Sequence, residues 1–184
     1  MTRLVRAAEL IGAPVITLDE GAVIGEVRDV LFDPQRLRFL GFTLRGVGLL
    51  SPPLIGLLPA AGIRSVGRDA VMVGSDAVVV RDEDDLHSTL GEHQDAVGQT
   101  VVTDSGAAIG RIADLVLEID AGRAAVVGCA VRRPDGREMV MPLADESGLS
   151  WGEPIVVPAG ASEHVASGVA GLREALDRAR ALKA

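Results

Sequence analysis

Apolar and polar residues alternate along most of this chain in short runs, broken by glycine, proline and acidic turns. Pro14 to Leu18 and Thr100 to Thr103 read as first strands, each closed by a turn, Asp19-Glu20-Gly21 or Asp104-Ser105-Gly106. Longer alternating runs follow, VIGEVRDVLFD and IGRIADLVLEID, then FLGFTLR at 39–45 and AVVGCAVR at 125–132. Pro134-Asp135-Gly136 marks a hairpin turn before REMVMP. The period changes only near the end. Val165, Val169, Leu172, Leu176 and Ala179 recur at helical spacing, which predicts an amphipathic helix with Ser162 as its N-cap.

The runs come in two sets that keep the same order. Gly25 and Gly110 are each followed four residues later by an acid, Asp29 and Asp114. Asp33 and Asp120 are each followed eight residues later by a glycine, Gly41 and Gly128. Leu58-Pro59 and Met141-Pro142 come next, then the Val-rich closes GRDAVMV at 67–73 and GEPIVV at 152–157. So many anchors in one order indicate an internal duplication. Five or six short antiparallel strands per copy predict a small barrel, which closes its own edges. The expected organisation is a first barrel at 1–80, an acidic linker at 81–97, a second barrel at 98–160 and a helix at 161–184. The fold class is mainly β: two small antiparallel barrels in tandem with a C-terminal amphipathic helix.

Composition narrows the function classes. The apolar fraction is 48%, enough for a packed core, and the net charge is −8. A negative total opposes phosphate-backbone binding, and three Phe, one Trp and no Tyr leave few platforms for base stacking. Nucleic acid is therefore not the expected partner. One cysteine, Cys129, excludes an internal disulfide. The most apolar stretch, Gly46 to Ile63, is broken by Pro52, Pro53 and Pro59, so no spanning helix is expected and a cytoplasmic protein is the default.

Candidate chemistry is sparse. Asp29 and Asp114, with Asp33 and Asp120, could pair as carboxylates for a metal or for acid–base work. Their duplication favours structure instead: Asp33 and Asp120 at turns, Asp29 and Asp114 facing outward or bonding neighbouring backbone. Asp82, Glu83, Asp84 and Asp85 with His87 and His93 lack the spacing of a calcium loop or a zinc site and read as a solvated linker. His164 has no visible Cys or Asp partner. Cys129 falls in an apolar strand, where a buried thiol is inert. No nucleophile elbow, phosphate loop or dinucleotide fingerprint occurs. No catalytic residue, metal or cofactor is expected.

Taken together, Ile24-Gly25-Glu26-Val27-Arg28-Asp29, Leu40-Gly41, Leu58-Pro59 and Gly67-Arg68-Asp69-Ala70-Val71 resemble the PRC-barrel family. The second copy supplies Ile109-Gly110-Arg111-Ile112-Ala113-Asp114, Val127-Gly128, Met141-Pro142 and Gly152-Glu153-Pro154, with Pro154 where the closing Asp would stand. The family includes the barrel of the photosynthetic reaction-centre H subunit and that of a ribosome-maturation factor. The resemblance implies docking onto a protein or membrane-protein partner rather than catalysis, and it brings no catalytic residues with it.

The two copies differ most at Gly46 to Ile63, where the second has only the compact turn Arg133-Pro134-Asp135-Gly136. The apolar excursion either packs between the barrels or under the tail helix, or exposes Leu49, Leu50, Pro52, Pro53, Leu54, Ile55 and Leu57 to a partner protein, a second protomer or a membrane surface. The expected function is a non-catalytic scaffold with a protein partner, a homodimer being one form. The alternative is a small-molecule- or metal-responsive regulator with its site at the inter-barrel groove.

Overall fold

Alternation with a period of two gives strands one buried and one wetter face, and it sets the architecture here. The computed structural model describes residues 3–48, 56–81, 91–120, 123–143 and 149–181. The first half contains β1 (Arg3–Arg6), α1 (Ala7–Leu10), β2 (Pro14–Thr17), β3 (Val23–Asp33), β4 (Arg38–Arg45), β5 (Gly56–Pro59), β6 (Ile63–Val66) and β7 (Val71–Val73). The second contains β8 (Gly91–Glu92), α2 (His93–Ala96), β9 (Thr100–Thr103), β10 (Ala108–Asp120), β11 (Arg123–Arg132), β12 (Glu138–Pro142) and β13 (Ile155–Val157), followed by α3 (Val169–Ala181). Both predicted barrel units are present, each built on a long hairpin, β3–β4 or β10–β11, with β2 or β9 flanked by a parallel closing strand.

The halves are not joined end to end like beads. One ladder runs β13-β9-β10-β11-β4-β3-β2-β7-β6, crossing between copies where Ala125 of β11 pairs with Arg38 of β4. Leu37 supports that crossing: it takes φ 50°, unusual for a branched residue, and its carbonyl accepts the Val126 N–H at 2.9 Å. Each copy also gives its leading strand to the other. β1 lies antiparallel to β10, Arg3 opposite Ile119 through Arg6 opposite Val116. β8 lies antiparallel to β3, with Glu92 opposite Leu31 and Gly91 opposite Phe32. Inside the segment expected as a linker, Gly91–Glu92 forms a strand and His93–Ala96 a short helix, both between the barrels. Two residues of strand are too short to show a period, so local pattern could not reveal them. Val5, Phe32, Phe42, Leu44, Leu115, Leu117 and Met141 belong to one buried cluster that spans both copies.

The tail helix begins at Val169, not at Ser162. Residues Ala159–His164 form a 3-10 helix, and Ala166 then exchanges two backbone hydrogen bonds of 2.8 Å with Val140. That bridge holds the chain extended and rules out a continuous helix. Leu172, Ala175 and Leu176 are fully buried, and Leu172 and Leu176 pack with Val116, Val127, Ala130 and Val140 on the outer face of the second barrel. Gly128 makes this fit: a Cβ there would stand 2.9 Å from both Leu172 Cδ2 and the Met141 carbonyl. Among the described residues, no helix is long and apolar enough to cross a membrane.

Candidate functional site

The duplicated aspartates meet at the seam between the copies. A β-bulge interrupts β3 between Val27 and Asp29, and another interrupts β10 between Ile112 and Asp114. A bulge inserts one residue and re-aims the next side chain. Asp29 and Asp114 thereby leave the barrel interiors and turn toward the exchanged helices, yet both stay buried, at 2% and 3% exposure. They point out of their own barrels but are covered by those helices. The expectation that they bond neighbouring backbone holds: Asp29 Oδ1 accepts the Val30 N–H at 2.7 Å, and Asp114 Oδ1 the Leu115 N–H at 2.8 Å.

The helices complete the arrangement reciprocally. The Ala8 N–H of α1 reaches Asp114 Oδ1 at 3.3 Å, and the Gln94 N–H of α2 reaches Asp29 Oδ2 at 3.1 Å. Symmetry then breaks at one position. Aligning Glu9-Leu10-Ile11-Gly12 with Asp95-Ala96-Val97-Gly98 sets Ala7 opposite His93. The His93 imidazole lies between the two carboxylates, Nε2 at 2.8 Å from Asp114 Oδ1 and Nδ1 at 3.5 Å from Asp29 Oδ1. Burial opposes a charged ring, but the hydrogen bonds to Asp114 and Asp29 and their negative charges outweigh it and lift His93 from 6.5 to about 9. At neutral pH the ring is an imidazolium whose Nε2–H donates to Asp114 Oδ1 and whose Nδ1–H faces Asp29 Oδ1. Sequence reasoning set His93 among the linker acids; the signal that singles it out is the helix alignment with Ala7.

This cluster is closed to solvent and suits a structural role: two buried anions from different copies share one buried cation. Among the described residues, no group of His, Cys, Asp and Glu is arranged to hold a metal. Asp33 acts as expected at its turn, its Oδ1 accepting the N–H groups of Gln35 and Arg36. Asp120 ends β10. Cys129 is buried and burial pushes its thiol up to about 12, which makes it a poor nucleophile at neutral pH. His164 ends a 3-10 helix, away from the aspartate pair in sequence and element.

Of the predicted partner-binding residues, Leu57 lies in β5, half-buried, opposite Thr43 and bonded through its backbone to Val80 in both directions. Leu49, Leu50, Pro52, Pro53, Leu54 and Ile55 lie outside the described residues, as do residues 82–85 and His87. At the seam, a cavity of about 20 Å³ between Phe39, Ile63, Val66, Ile119 and Ala124 has room for about one water. An open groove of about 620 Å³ lies on the second barrel, lined by Asp95, Val97, Gln99, Arg111, Glu153 and Pro154.

Comparison with curated proteins finds no match. The model of the PRC-barrel domain matches the chain twice, over residues 3–86 and 92–166. The second match begins within β8, where the structure starts the second copy. With both copies matched across most of its length, the chain belongs to the PRC-barrel domain family, as a tandem pair.

Proposed function

We propose that the protein is a non-catalytic scaffold that docks onto a protein or membrane-protein partner through its paired barrels. The supporting observation is the reciprocal exchange of β1 and β8, which fixes the barrels in one orientation and so offers a partner a surface of constant shape. The charged residues that could suggest chemistry, Asp29, His93 and Asp114, are enclosed and hold that orientation. The Leu49–Ile55 excursion with Leu57 is one proposed contact. Affinity capture with the full chain tests the reading. A stoichiometric partner retained through washing supports it, and loss of that partner when Leu49–Leu58 is replaced by a short turn assigns the excursion. If the full chain retains nothing, the scaffold reading fails.

The ligand-responsive reading is the second. The seam cavity is too small for a metabolite, so the groove beside Arg111 is the space that favours it. A panel of metals and metabolites scored by thermal shift tests it, and a flat response counts against it.

A further inference from the structure

The register of the first barrel places four apolar side chains in one row on its outer face. Ile16 of β2 pairs with Val23 of β3 on one side and with Met72 of β7 on the other. Paired residues in a sheet point to the same face, and Leu18, two residues beyond Ile16, joins them. Val15 and Val71, one step away in register, are fully buried, which confirms that the row points outward. Leu18 is 60% exposed and Val23 52% exposed, the highest values among the large apolar residues described.

The second barrel keeps half of this row, with Val102 matching Ile16 and Val156 matching Met72, and folds without the other half. Its matching hairpin has Asp104 in place of Leu18, the N–H of each bonding the closing strand, and Ala108 in place of Val23, across a turn one residue shorter: Thr17 Oγ1 accepts the Ala22 N–H and Thr103 Oγ1 the Ala107 N–H. Only the row's two exposed positions, Leu18 and Val23, are large and apolar in the first copy alone. The turn that adjoins the row carries two acids. Asp19 and Glu20, both exposed, continue directly from Leu18; the Asp19 N–H bonds the Gly74 carbonyl, beside which the Arg64 guanidinium lies, and Asp76 faces Arg81 at 4.0 Å.

We propose that the outer face formed by Ile16, Leu18, Val23 and Met72, with Asp19 and Glu20 at its edge, docks a basic amphipathic segment of a partner protein. The row supplies apolar contact and the acids select Lys or Arg beside it. The same acids oppose an anionic lipid surface and a second copy of the same face. This inference rests on the scaffold reading and names a surface and a partner chemistry for it.

The test uses the full chain and a fluorescent leucine–lysine amphipathic peptide, read by anisotropy. L18D/V23A installs the residues the second barrel carries at these two positions and leaves Asp19, Glu20 and Gly21 of the turn unchanged. Leu18→Asp also adds an acid, which would raise a purely electrostatic affinity. The expected result is binding by the parent chain and about tenfold weaker binding by L18D/V23A. D19N/E20Q is expected to bind more weakly and with less salt dependence. Equal affinity of the parent chain and L18D/V23A overturns the proposal, as does equal binding of a leucine–glutamate peptide. Binding to phosphatidylserine vesicles, or a dimer, that L18D/V23A abolishes would give the face to lipid or to a second copy and overturn it. If L18D/V23A still retains the partner captured by the parent chain, the face is wrong and the scaffold reading stands.

Discussion

The indole of Trp151 meets the ring of Phe32 edge to face, with centroids 5.2 Å apart and planes at 71°. Trp151 belongs to the second copy and Phe32 to β3 of the first, so the only tryptophan in the chain reports on the seam. Because the copies share a ladder and a core cluster, they should unfold together. Tryptophan emission and far-ultraviolet circular dichroism should give superimposable denaturation curves. Two separate transitions would show that the exchange does not couple the barrels.

His93 makes stability depend on pH. Its ring binds a proton more tightly folded, at about 9, than unfolded, near 6.5. The stabilisation is fully present below pH 6.5 and disappears as pH rises through about 9, amounting to about 3 kcal/mol over that window. Denaturant midpoints measured from neutral to alkaline pH should fall for the parent chain. The H93Q variant should start lower and show a flatter curve.

Asp114 and Asp29 should not be equivalent. Asp114 is nearer the imidazole, at 2.8 Å against 3.5 Å, and its Oδ1 also accepts the Ala8 and Leu115 N–H groups. Removing one partner from a buried charge pair costs about 3–5 kcal/mol. Asp114→Asn should fall at the upper end of that range and Asp29→Asn below it. Equal losses in urea titrations would contradict the asymmetry.

Gly110 and Gly128 are among the glycines at close approaches that tolerate no side chain. A Cβ at Gly110 would stand 2.3 Å from the Arg132 carbonyl on the paired strand, and one at Gly128 would meet Leu172 of α3. Both alanine variants should lose about 1–3 kcal/mol through overpacking. Leu172→Ala, which empties a fully buried site, should cost about 2–5 kcal/mol. It should also speed hydrogen exchange in α3 ahead of the barrel strands. Unchanged exchange in α3 would mean the helix is held elsewhere.

Local rules made the strands readable. Val15 and Thr17 point in while Ile16 points out, and Thr100–Thr103 repeats the pattern, so a period of two carried both barrels. The hairpin at Pro134-Asp135-Gly136 was equally local: the Gly136 N–H bonds the Arg133 carbonyl. What sequence could not show was pairing at a distance. Nothing in Arg3–Arg6 states that its ladder partner is Val116 to Ile119, and nothing around His93 states that Asp29 and Asp114 will flank it. The bulges that turn those aspartates depend on register, which emerges only when two strands meet. Ser162 failed as a helix start for the same reason, because the Val140 to Ala166 bridge is a tertiary contact.

Exchange of β1 and β8 also bears on how such a chain can arise and be divided. A gene half this length would encode a long strand whose leading-strand partner sits on another molecule, so it would assemble as an intertwined pair of identical chains. Fusion of two such genes would make the pair permanent and free each half to differ, as Ala7 and His93 differ at matching positions. Neither module can then be moved alone to another protein without leaving behind a strand that pairs with its sister.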